Sequence, residues 1–176
     1  MEDCDSREEG KTVSRQHEGT VTRGVVAGLW GVAAMAGVIT TLRRALVPPD
    51  HMVTTHPEKV IERARQLAGS SGELDVQTRR RLGDLLHFAF GALWGVAYAT
   101  KTGRHDIDPL IGGPLTGAAL WAVGFCGYMP ILGIQPGPWH WHRREFVLTG
   151  SAHLAYGTTM AMILRALQHR SQAPDS

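Results

Sequence analysis

Cysteine is nearly missing from this chain. Cys4 and Cys126 are the two in 176 residues, one in a polar stretch and one in an apolar one. With no CxxC spacing, no disulfide framework, dithiol redox motif or zinc knuckle is written into the sequence. Net charge is scarce as well. A formal +2, without basic and aromatic residues interleaved, excludes the electrostatic footprint of a nucleic-acid binder. A phosphate loop is lacking, because Gly112 and Gly113 run directly into Pro114. Ser151 and His153 lack an acidic third member, and residues two apart do not share a helical face. These gaps argue against an enzyme, and no catalytic or metal-ligating set is assigned. The first 23 residues are acidic and mixed, without the basic start and small-residue cleavage site of a signal peptide, so the first apolar segment is expected to be retained.

The absence that organises the chain is local. Asp, Glu, Lys and Arg are missing from residues 24–42, 85–100, 109–142 and 146–164, although the whole chain is 19% charged. A hydrocarbon core of about 30 Å takes about 20 residues of helix, and four such tracts are hard to bury in one small soluble core. The competing reading, a soluble bundle with the same tracts as buried helices, needs that burial. The pattern predicts an all-α fold, an integral membrane four-helix bundle over residues 23–168, with helices at about 23–42, 82–100, 110–129 and 146–164. Residues 1–22 are expected to be a disordered acidic tail and 169–176 a flexible one.

The polar connection between helices 1 and 2 is expected to be partly helical. In "THPEKVIERARQLAG", Thr55 is placed to cap an amphipathic segment from Glu58 to Leu67, and Gly69 to Gly72 stop it. Between helices 3 and 4, "PILGIQPGPWHWHRRE" is too rich in Pro and Gly for one helix. It reads as an interfacial turn with Trp139 and Trp141 at headgroup depth. Four crossings put both termini on one side. Lys and Arg are nearly balanced between the two sides, so orientation is not assigned.

Every expected crossing carries a small-xxx-small pair: Gly24 with Gly28, Gly91 with Gly95, Gly113 with Gly117, and Gly157 with Ala161. In lipid, burying apolar area gains little, and such pairs act by letting backbones approach. The string "LWGVA" occurs at 29–33 and 93–97, with a looser echo at 119–124. Trp30, Trp94 and Trp121 therefore fall within helices, as packing elements opposite glycine whose indoles need hydrogen-bond partners.

A second echo is "HFAFG" at 87–91 and "HLAYG" at 153–157. On helices, each histidine shares a face with the glycine four residues on. We expect His87 and His153 to be packed polar groups on adjacent helices 2 and 4. The alternatives are two axial imidazoles for a haem, and proton or small-solute transport in an oligomer. No cofactor is required by the leading reading. His140 and His142 lie across the bilayer from His105 in this topology, so they are read as local interfacial groups.

The first crossing "RGVVAGLWGVAAMAG", the following Pro48 and Pro49, "HFAFGALWG" and "HLAYG" together resemble the YagU-like family of small bacterial inner-membrane proteins, over about residues 22–168. The resemblance implies a multi-pass inner-membrane location and a broad association with acid tolerance, and supplies no catalytic set for His87 or His153. The expected function is a non-enzymatic supporting or assembly role in the envelope or a membrane complex. Membrane lipids, a homo-oligomer or a membrane complex are the partners, and nucleic acid is not.

Overall fold

The computed structural model describes residues 2–46, 56–70, 72, 74–102 and 107–170, with side chains of 17–45 in the first stretch. The elements are α1 (Glu2–Leu46), α2 (His56–Leu67), α3 (Val76–Thr102), α4 (Pro109–Ala122), a π-helical turn (Val123–Tyr128) leading into α5 (Met129–Ile131), a 3-10 turn (Pro138–His140) and α6 (Arg143–Arg170). Three stretches are long and apolar enough to cross a membrane: His17–Ala45, Val76–Thr102 and the continuous run Pro109–Ile131. The protein is an all-helical bundle with three apolar, membrane-length helices, and α6 is a fourth long helix outside that group.

The bundle is organised on one stripe of α1. Gly24, Ala27, Gly28, Gly31, Val32 and Met35 are buried at spacings of three and four, one face of a 3.6-residue helix. That stripe is wide enough for two neighbours. α1 packs against α3 on one side and α6 on the other, α6 packs in turn on α4, and α2 lies against α3. The expectation that the helices bearing His87 and His153 are direct neighbours is corrected: α3 and α6 scarcely touch, because α1 stands between them.

The ends of the helices also differ from the sequence reading. α1 begins at Glu2, not Arg23, so residues 2–22 continue the helix instead of forming a disordered tail. The physical reason is propagation. Once the apolar part has nucleated a helix, each further residue adds one hydrogen bond, and the Glu, Arg, Lys and Gln of this segment are good helix formers. α3 starts six residues before Leu82, where Asp75 caps it by accepting from the backbone N–H of Gln77 and Thr78, both at 3.0 Å. At α4, Asp108 caps Leu110 N–H at 2.9 Å and Pro109 fills the first position. Pro114 falls inside α4, beyond the first turn, so it withholds a donor from the Leu110 carbonyl. α6 runs on to Arg170, which takes two residues of the expected flexible tail into the helix. Thr55, Pro48, Pro49, His105 and residues 171–176 lie outside the described residues.

Candidate functional site

The glycine pairs mark two helix seams. Between α1 and α3, a Cβ built on Gly24 would stand 2.6 Å from Val96 Cα, and one on Gly95 would stand 2.8 Å from Gly28 Cα. Gly28 and Gly91 face each other in the same seam, with the Gly91 carbonyl against Gly28 and a Val32 methyl against Gly91. Between α4 and α6, a Cβ on Gly113 would lie 2.7 Å from the Gly157 carbonyl oxygen and 3.0 Å from Ala161 Cβ. Gly117 is seated on the His153 carbonyl, and a Cβ on Gly157 would lie 2.7 Å from Gly117 N. All eight residues sit in these two seams, where backbone meets backbone and van der Waals contact replaces side-chain burial.

Gly31 does different work. The ring of Tyr156, on α6, crosses it so closely that a Cβ there would meet ring carbons at 2.8 and 2.9 Å. Beyond Gly31 the Tyr156 hydroxyl donates to the Gly91 carbonyl of α3 at 2.7 Å. The aromatic of "HLAYG" thereby bonds the glycine of "HFAFG" over a glycine of α1, and Tyr156 is buried.

Toward one end of the bundle the helices diverge around a cavity of about 320 Å³. Its walls come from α1 (Met35, Ile39, Arg43), α2 (His56, Val60), α3 (His87, Phe90), the π-helical turn (Phe125, Tyr128) and α6 (Thr149, His153). The π turn is what opens the α4 wall. Pro130 has no N–H to offer its helical acceptor, and the Met129 N–H reaches back five residues to the Gly124 carbonyl, the wider winding that recurs at functional sites. That winding puts Gly124, Phe125 and Tyr128 on the cavity. His87 and His153 are thus brought to one chamber from helices that do not pack together, and His56 of α2 joins them.

The three imidazoles are in different states. His153 Nδ1 is 2.8 Å from the Thr149 carbonyl, so it is the donor and Nε2 carries the lone pair. His56 and His87 have no hydrogen-bond partner among the described residues. The Phe125 ring stands edge-on to His56 at 5.0 Å and to His153 at 5.5 Å, and Trp141 packs on both Phe125 at 5.0 Å and His56 at 6.2 Å. Removal from water, followed by the charge of Lys59, pushes the His56 imidazole down to about 4. It is therefore neutral at pH 7. Among the described residues no carboxylate lines the chamber, and no group of three or more His, Cys, Asp or Glu is placed to hold a metal ion.

The tryptophans divide. The Trp121 indole donates to Thr149 Oγ1 at 3.0 Å, Trp94 Nε1 is buried without a partner among the described residues, and Trp30 is exposed, facing away from the glycine seam. Trp141 donates to the Pro136 carbonyl at 2.8 Å, while Trp139 is exposed. His140 and His142 are exposed in the same turn. Sequence reasoning missed His56, Phe125 and Gly31. His56 sits in a segment whose charge pattern marks it as surface. The cluster of Gly124, Gly127 and Pro130 is the signal that a helix wall would widen beside Phe125.

No family model, no curated protein and no solved structure matches the chain.

Proposed function

We propose that this chain is a multi-pass integral protein of the bacterial inner membrane, non-enzymatic, with a supporting or assembly role in a membrane complex. One observation carries the membrane reading: the helix seams are built of small residues while large apolar side chains face outward. The seams are glycine and alanine, whereas Leu93, Leu115 and Val123 are 64, 64 and 62% exposed. Water would drive those side chains inward. Lipid tails impose no such drive, and close backbone packing becomes the source of association.

We take α6 as the fourth crossing although it is more polar than the other three. It lies between α1 and α4, and two of its hydroxyls are satisfied within the helix. The Thr149 hydroxyl donates to the Glu145 carbonyl at 2.9 Å and the Thr158 hydroxyl to the Leu154 carbonyl at 2.8 Å, the local satisfaction that a span requires. α2 then lies at the interface. Its Arg63 donates to the Leu132 carbonyl at 2.7 Å, tying it to the turn after α5. The inner-membrane assignment draws on the motif resemblance alone. The shared imidazole chamber leaves room for the transport alternative. Phe125, edge-on to His153, stands against a haem there.

Alkaline and high-salt washing of membranes containing the full-length chain is the test. Retention in the pellet, with release by detergent only, is expected. Release of folded protein by either wash alone refutes the reading.

A further inference from the structure

We propose that the cavity beneath α2 is a binding site for a quinone-type molecule, a planar ring with two carbonyl oxygens, held among His56, His87 and His153. The walls supply two kinds of surface. Most of the lining is aliphatic or aromatic, with Phe90, Phe125 and Tyr128 on the α3 and α4 sides, which favours a flat apolar ring. Against this stand three imidazoles delivered from three separate helices, two of them without a hydrogen-bond partner among the described residues. Polar groups left open on an apolar chamber are the ordinary means of orienting a ligand.

The class of ligand follows from what those groups offer. A neutral imidazole carries one donor and one acceptor nitrogen. It therefore complements a carbonyl oxygen, which accepts, and equally the hydroxyl of the reduced ring, which donates. His153 has its donor committed to Thr149, so its remaining nitrogen suits the hydroxyl form. The volume of about 320 Å³ lies at the lower end of the roughly 300–1,000 Å³ of small-molecule sites. That fits a one- or two-ring head and not a macrocycle, which would also have to displace Phe125. Entry from the bilayer rests on the membrane reading. Binding itself does not, and is measured in detergent.

The experiment is titration of the purified full-length chain in dodecyl maltoside with menadione, read by quenching of tryptophan emission. Trp141 packs on His56 and Phe125, and Trp121 lies 6.0 Å from Phe125, so a bound quinone quenches both. Quenching is expected to saturate at one equivalent. It should weaken about tenfold in His87→Leu, through loss of a hydrogen bond, and in Ile39→Phe, through loss of space. His87→Gln should stay close to the unsubstituted protein. If His87→Leu does not fold, Ile39→Phe decides. Quenching that never saturates, or that saturates but is unchanged in the variants, overturns the proposal. So does decanoate binding in the absence of menadione binding. A chain that stays in alkaline-washed membranes yet fails to bind menadione refutes this site and leaves the membrane reading standing.

Discussion

The hydroxyl of Tyr156 donates to the carbonyl of Gly91 at 2.7 Å, across the face of Gly31. α3 and α6 have little other direct contact, so this bond is a direct tie between two helices otherwise joined through α1. The Gly91 carbonyl also belongs to the helical ladder of α3, which limits the cost of losing the tyrosine. We expect Tyr156→Phe to fold and to lose about 1 kcal/mol, and Tyr156→Ala to lose more because the ring over Gly31 disappears. Unfolding in detergent with increasing dodecyl sulfate measures both. Equal stability of the Phe variant and the parent contradicts the assigned tie.

Glycine has two opposite roles on the same helix. Gly28 meets the Gly91 carbonyl of α3, while Gly37 has nothing within 4 Å of an added Cβ. Gly28→Ala is therefore expected to destabilise by about 1–3 kcal/mol, since the seam must open. Gly37→Ala is expected to stabilise by about 0.5–1 kcal/mol through reduced backbone freedom in the unfolded chain. Thermal midpoints of the two variants moving in the same direction would count against the seam.

Asp75 gives the start of α3 a pH dependence. Its carboxylate is held below the ordinary value, first by the hydrogen bond to Thr78. The folded-state value is the lower one, so the cap's contribution is fully present above about pH 4 and is lost as pH falls through the folded value. Asp75→Ala should remove that dependence. Amide exchange at Gln77 and Thr78 should accelerate in the variant at neutral pH and in the parent only in acid. Indistinguishable exchange in the two proteins at neutral pH would show that Asp75 does not hold the turn.

Much of this arrangement was legible in the residues. The long helices at 82–100, 110–129 and 146–164 follow from missing charge, and α3, the run 109–131 and α6 contain those cores. Small residues at spacings of four in every long helix pointed to close backbones. Which seam each pair joins was not legible, because Gly24 and Gly28 meet Gly91 and Gly95 through tertiary packing that no periodicity encodes. His87 and His153 were visible as an echo, but an echo carries no distance. Their shared cavity depends on a π turn at Val123–Tyr128 and on His56 arriving from a charged segment. The helical start at Glu2 was hidden for another reason: polar all round, those residues show no stripe, and the helix they continue is nucleated elsewhere.

The proposed membrane placement requires lipid, not water, around the large apolar side chains outside the seams. Spin labels placed singly at Leu93 and Leu115, both 64% exposed, test it most directly, in a background lacking Cys4 and Cys126 and reconstituted in bilayers. A label at Ser70, exposed after α2, serves as the aqueous control. Collision with molecular oxygen is expected to dominate at Leu93 and Leu115, and collision with a water-soluble nickel chelate at Ser70. Nickel accessibility at Leu93 and Leu115 equal to that at Ser70 would contradict the account.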